Sequence, residues 1–295
     1  MPNLKDIQRR ISSVESTQKI TSAMKMVSAA KLRRAQQAVE AARPYAGHMR
    51  ETLASVAAGE TDAENPLLVA HESVKRLGVV VITSDRGLAG AFNTQVNKLA
   101  NSVLAQRSGD LEGVSMYLLG RKAGDFFKRR RPDDIDLQEL VGSAIDYAQA
   151  ATVARHLAVA YEAGELDEVV IVFNQFVTTM TQTPVVQQLL PIVSEAAEED
   201  TNEAEGEGAA PYTIEPDAQQ LLATLAPKTL EVSIFQALLE NQAGEHAARM
   251  TAMENATRNS EELIDSLTLQ FNRARQAAIT RELVEIVTGA QALEG

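Results

Sequence analysis

Hydrophobic residues at the start of the chain repeat at helical spacing. Leu4, Ile7, Ile11 and Val14 follow the a and d positions of a heptad; the stripe shifts to Ile20, Met24 and Val27, then resumes through Leu32, Ala35, Val39 and Ala42. A strict register would put Gln18, Thr21, Lys25 and Ser28 in the seam, so the spacing predicts an irregular helix pair rather than an ideal two-stranded coiled coil. Residues 3 to 43 lack glycine and proline, which predicts a helix of roughly 60 Å ending ahead of Pro44. Residues 228 to 288 hold no proline and one glycine, Gly244, and predict a second helix of roughly 90 Å. Pro227 is expected at its first turn, after a brief helix capped by Asp217. Helices this long need cover for their apolar stripes, and each is the other's nearest partner.

Between them the period changes. Residues 58 to 66 form a polar breaker, after which Arg76–Thr83 reads as a buried strand and Val114–Leu119, Ile135–Leu140 and Asp167–Thr178 as further strands. Helical stretches up to about Arg107, over Arg121–Arg130 and over Ser143–Ala163 separate them, which argues for an open sheet with largely parallel strands. Thr183–Pro191 is a further extended segment whose prolines suit a sheet edge, and Tyr212–Glu215 is a candidate last strand. The expected fold is α+α/β: an antiparallel coiled coil of the long N- and C-terminal helices with an inserted Rossmann-like open-sheet domain. Its divisions fall at residues 1–57, 67–216 and 217–295.

Charge and composition narrow the function classes. The net charge is −12, yet the first 50 residues carry ten Lys/Arg against three Asp/Glu, leaving −19 for the remainder. Such a basic helix is either a solvated face or a surface for an acidic partner. Nucleic acid is a poor candidate, because Trp is absent and aromatics make up 4% of the chain. Residues 195 to 210 carry seven acids and no base, the composition of a mobile surface loop. With no cysteine there is no disulfide, thiolate metal site or thiol switch. Apolar runs stay strand-sized, too short to span a bilayer, and the N-terminus carries no export signal, so the expected location is cytoplasmic.

The search for reactive chemistry finds little. Thr83–Asn93 lies between a strand and a helix, where a nucleotide-binding fold holds phosphate. Gly87-x-x-Gly90, however, is neither G-x-G-x-x-G nor G-x-x-x-x-G-K-[ST], which favours a tight structural turn; Gly120–Gly124 is discounted likewise. His48, His71, His156 and His246 are isolated from one another, and no G-x-S-x-G elbow occurs. No catalytic, metal or cofactor residues are assigned.

The C-terminal run Ile279-Thr280-x-Glu282-x-x-Glu285-x-x-x-Gly289-Ala290-x-Ala292 resembles the signature of the γ-subunit family of F-type ATP synthases. Glu245–Asn259, Phe271–Ala278, Ile11–Arg33 and Ser84–Gly90 are also similar to that family, in the family's order, so the resemblance covers the whole chain. It implies a non-catalytic rotor of the central stalk. The terminal helices would turn inside a hexamer of α and β subunits, and the α/β part would stand as a foot on the c-ring beside subunit ε. Rotation would then couple proton translocation to ATP synthesis or hydrolysis at β. The resemblance further implies a peripheral position on the cytoplasmic face of a bacterial inner membrane.

By the same resemblance Arg275, Gln276, Thr280 and Glu282 match positions grouped with a contact to a mobile loop of β, and Met24 matches a methionine facing β. An arginine fork beside an amide suits directional, breakable bonds to carboxylates, and a methionine slides without forming ion pairs. Spacing alone equally allows an exposed polar face and a plain seam residue. Leu283, Val284, Ile286, Val287, Ala290 and Leu293 leave the C-terminal tip apolar around most of its circumference, which calls for an apolar sleeve. The cysteine-bearing insertion of chloroplast relatives is missing.

Overall fold

The computed structural model describes residues 4–59, 65–107, 109, 111–192 and 217–294. The expected acidic loop at 195–210 and the strand at Tyr212–Glu215 lie outside the described residues. Elements run in the order α1 (Leu4–Gly59), β1 (Arg76–Ile82), α2 (Phe92–Arg107), β2 (Gly113–Leu119), α3 (Arg121–Phe127), β3 (Ile135–Glu139), α4 (Tyr147–Glu162), β4 (Glu168–Phe176), β5 (Gln182–Leu190) and α5 (Ala218–Glu294). Short 3-10 turns occupy Pro66–Leu68 and Pro132–Asp134. The fold class is the expected one, long terminal helices with a central sheet domain. The chain packs as two units, one of residues 1–29 with 249–295 and one of residues 30–248.

In the larger unit five strands form one sheet in the order β3-β2-β1-β4-β5. β1 to β4 are parallel, and β5 pairs antiparallel with β4 from Val169↔Leu190 to Phe176↔Gln182. β1 and β4 are buried along almost their whole length, which explains why they read as unbroken apolar runs. One sheet face packs Leu77, Val79, Val81, Met116 and Leu118 against Val96, Ala100 and Leu104 of α2 and Phe127 of α3. The other packs Val80, Ile82, Leu119, Ile171 and Phe173 against α4, Leu53 and Val56 of α1, and Leu222 to Leu238 of α5.

Two prolines sit where the sequence reading expected helix ends. α1 runs through Pro44 to Gly59, and α5 is one helix of 77 residues with Pro227 inside it. Asp217 does cap a helix, its Oδ1 accepting from the Gln219 N–H at 2.7 Å, but the helix it opens is α5 itself. An interior proline costs about 3 kcal/mol. Burial of Ala46, Leu53 and Val56 after Pro44, and of Leu222, Ala226 and Leu230 around Pro227, offsets that at about 1.5–3 kcal/mol for each large aliphatic side chain. Gly244 leaves α5 unbroken for another reason: a Cβ there would meet the Phe92 ring at 3.0 Å and the Gln182 side chain at 3.3 Å, so glycine allows close approach.

The smaller unit pairs residues 4–29 of α1 with residues 249–294 of α5, antiparallel. Thr21 lies against Thr257 and Lys25 against Glu254, so one helix ascends as the other descends.

Candidate functional site

The seam of the smaller unit overturns the expected irregular register. Ile7, Thr21 and Ser28 are buried, and Leu4, Ile11, Val14, Gln18 and Lys25 are half-buried, an unbroken a/d series. The facing series on α5 is Met253, Thr257, Ser260, Ile264, Leu267, Phe271, Ala274 and Ala278, also a regular heptad. Ile20 and Val27, expected in the stripe, are 60% and 57% exposed, and Met26 is exposed as well. Polar side chains take the seam because they find partners there. The Thr21 and Thr257 hydroxyls meet at 2.8 Å, each also reaches a backbone carbonyl of its own helix, and Lys25 Nζ lies 2.7 Å from Glu254 Oε1. Through its hydrogen bond to Lys25 and the charge beside it, Glu254 is held below the usual carboxylate range.

Over residues 18 to 28 the usual arrangement is thus inverted, with polar groups inside and apolar ones outside. Ile20, Met24 and Val27 are spaced i, i+4, i+7 and share one helix face; Met24, half-buried, sits at its middle. A regular 3.5-residue period keeps the helices in contact, and side-chain polarity was not strong enough to move it. The spacing of these three residues is the sequence signal for an outward apolar face, and it agrees with the outward position that the family resemblance implies for Met24.

Arg275, Gln276, Thr280 and Glu282 are all exposed. Arg275 and Glu282, seven apart, share one face; Gln276 and Thr280, four apart, share another roughly 100–140° round from Arg275. Among the described residues Arg275 and Glu282 form no ion pair, whereas the Thr280 hydroxyl donates to the Gln276 carbonyl at 2.9 Å. Every residue from Ile279 to Gln291 is exposed, including Leu283, Val284, Ile286, Val287 and Ala290; the side chain of Leu293 lies outside the described residues. The cause is length. Continuing the Thr21–Thr257 register brings Leu4 opposite residues near Ala274, and α5 goes on for some 20 residues, roughly 30 Å, without a partner in this unit.

In the larger unit, the polar side chains of the turn after β1 bond to the chain's own groups. The Asp85 carboxylate accepts from the N–H groups of Arg121 at 3.0 Å, Val141 at 3.3 Å and Gly142 at 2.8 Å, tying together the C-terminal ends of β1, β2 and β3. The Thr83 hydroxyl accepts from the Ala123 N–H at 2.8 Å, and Ser84 is fixed by Asn93. Asp85 thus takes up three backbone N–H groups itself, which leaves them unavailable to a phosphate. Gly120, at φ +103°, is locked into this arrangement: a Cβ would collide with the Thr83 carbonyl oxygen. Leu88 takes a left-handed backbone at φ +64° and is 63% exposed.

At the opposite end of the sheet, Asp167 accepts from the N–H groups of Lys75 and Arg76, with the Arg76 guanidinium at 3.5 Å and His71 at 4.0 Å. Burial pulls its carboxyl upward, but these donors and charges outweigh it and hold it below the usual range. Nearby Tyr161 is pushed up to about 12 by burial and by the charges of Asp167 and Glu168, so its phenol stays protonated and donates to the Val69 carbonyl at 2.7 Å.

A family model described as ATP synthase matches residues 3–293. The ATP synthase gamma chain of Desulforamulus reducens is 48% identical over the whole of both chains, and that of Pelotomaculum thermopropionicum 47%. The chain belongs to the ATP synthase gamma-chain family. Gamma chains are the non-catalytic central-stalk subunits of the complex, whose catalysis is in β. Among solved structures, the central stalk of Tetrahymena thermophila mitochondrial ATP synthase is 25% identical with a TM-score of 0.59, covering 80% of this chain and 99% of that one. The rotor of the Euglena gracilis mitochondrial enzyme, at 20% identity, has a TM-score of 0.64 over 94% and 98% of the two chains and shares the fold. Membership explains why a chain with a well-packed sheet domain leaves the end of its longest helix uncovered: a gamma chain works inside a larger assembly.

Proposed function

We propose that this gamma chain turns as the rotor of a bacterial F-type ATP synthase, peripheral to the cytoplasmic face of the inner membrane, and couples proton flow through the c-ring to ATP synthesis or hydrolysis at β. The observation that carries the reading is the helix pair of the smaller unit, polar inside and apolar outside at residues 18–28 and bare beyond Ile279. Its partners are the α and β subunits around the helices, with subunit ε and the c-ring at the sheet domain. Arg275, Gln276, Thr280 and Glu282 meet a mobile loop of β, and Met24 slides on the same ring. Leu283, Val284, Ile286, Val287, Ala290 and Leu293 run in an apolar sleeve. Rotation changes nucleotide affinity at β because the chain presents a different face to each β in turn, and only such differential contact shifts an equilibrium. The asymmetry comes from unequal helix lengths and the inverted segment, not from an irregular seam.

Mixing the chain with α and β subunits tests the reading. One complex whose ATP hydrolysis requires this chain is expected; a chain that binds neither subunit overturns it. Arg275→Leu with Gln276→Leu should lower coupled synthesis while leaving the sheet domain folded, and unchanged rates of synthesis and hydrolysis would withdraw the assignment of those two residues.

A further inference from the structure

The strand-starting end of the sheet is lined with cations, and most are matched. Lys75 pairs with Glu112 at 2.8 Å, Arg76 with Asp167 at 3.5 Å, Arg107 with Glu168 at 2.7 Å and Arg131 with Asp134 at 3.0 Å. α3 leaves the opposite end of the sheet at Gly120 and returns here before β3, delivering Lys128, Arg129 and Arg130 in succession. All three are exposed, and among the described residues none has a carboxylate partner. Arg130 is nonetheless ordered: its guanidinium stacks 3.8 Å over the Phe126 ring and donates to the Phe126 carbonyl at 3.0 Å, which leaves its charge unneutralised. Three adjacent uncompensated cations on a chain of net charge −12 stand out at an end where their neighbours are matched one for one.

We propose that this end of α3 is a contact for an anionic phospholipid surface. Lys128 to Arg130 form the turn that closes α3, the Lys128 N–H donating to the Gly124 carbonyl at 3.0 Å and the Arg130 N–H to the Phe127 carbonyl at 2.9 Å, so their side chains fan apart by roughly 100° each and cannot converge on one carboxylate or one phosphate. A layer of headgroups presents anions at every angle and satisfies such a fan. No described helix is long and apolar enough to cross a membrane, so the contact is electrostatic and superficial. The inference does not rest on the rotor reading, because it concerns only this face of the sheet domain.

The full-length chain is sedimented with vesicles of pure phosphatidylcholine and of phosphatidylcholine with 30% phosphatidylglycerol. Binding to the second and not the first is expected, with loss in roughly 1 M salt, where the Debye length falls to about 3 Å. Lys128→Gln, Arg129→Gln and Arg130→Gln together should lower partitioning roughly 100-fold, three cations at about 1 kcal/mol each. Lys128→Gln with Arg129→Gln, which keeps the Arg130 stacking, should give an intermediate loss. Arg9→Gln, Arg10→Gln and Lys19→Gln remove as much charge from α1 and should change nothing. Binding to neither vesicle, equal binding to both, unchanged binding by the α3 variants, or loss only with the α1 variant would each overturn the proposal. So would an α3 variant that binds vesicles normally but fails to assemble with α and β, since the patch would then face an acidic protein.

Discussion

At the scale of single residues, the sheet domain depends on groups that satisfy backbone donors. Asp85 is the clearest case, one carboxylate accepting three N–H groups from two later connections. Asp85→Asn keeps the shape but turns a donor toward one of those N–H groups, and it should cost about 2–3 kcal/mol in urea unfolding. Gly120→Ala meets both a forbidden φ and the Thr83 carbonyl, and should cost at least about 2 kcal/mol by the same measurement. Asp167 ties folding to pH. Because its carboxyl is held below the ordinary range, its contribution is fully present above the unfolded value of about 4 and is lost as pH falls through the folded value. Asp167→Asn should therefore flatten the decline in urea midpoint on acidification below about pH 4; an undiminished slope would mean other carboxylates carry it.

Among elements, the seam of the smaller unit shows how far periodicity can be read. Both long helices and most strands follow from the spacing of apolar residues. The register at Gln18 to Ser28 does not, because a one-dimensional stripe cannot show that Thr21 would find Thr257 or that Lys25 would find Glu254, each more than 220 residues away. The two proline positions failed for a related reason. A local penalty of about 3 kcal/mol was visible in the sequence, whereas the burial that outweighs it belongs to other elements. Thr21→Val with Thr257→Val replaces a hydrogen-bonded pair by an apolar pair of equal shape and should leave the melting temperature unchanged or higher. Either single change should be the less favourable, a coupling of about 0.5–1 kcal/mol in a double-mutant cycle.

For the whole molecule, the uncovered helix end separates stability from function. Leu283, Val284, Ile286 and Val287 are exposed, so replacing all four by serine should alter the stability of the isolated chain by no more than about 0.5 kcal/mol per site. The same variant should recover less complex with α and β subunits. Equal recovery would remove the apolar tip from the assembly.

Repeat spacing, ordered motifs and composition are properties of the chain alone, and they carried the fold class, the family and the lack of thiol chemistry. The inward face of α1, the gathering of three N–H groups by Asp85, and the absence of carboxylate partners for Lys128 to Arg130 among the described residues came from the fold alone. Each of those depends on side chains meeting across long stretches of sequence, where hydrogen-bond geometry and desolvation outweigh local preference.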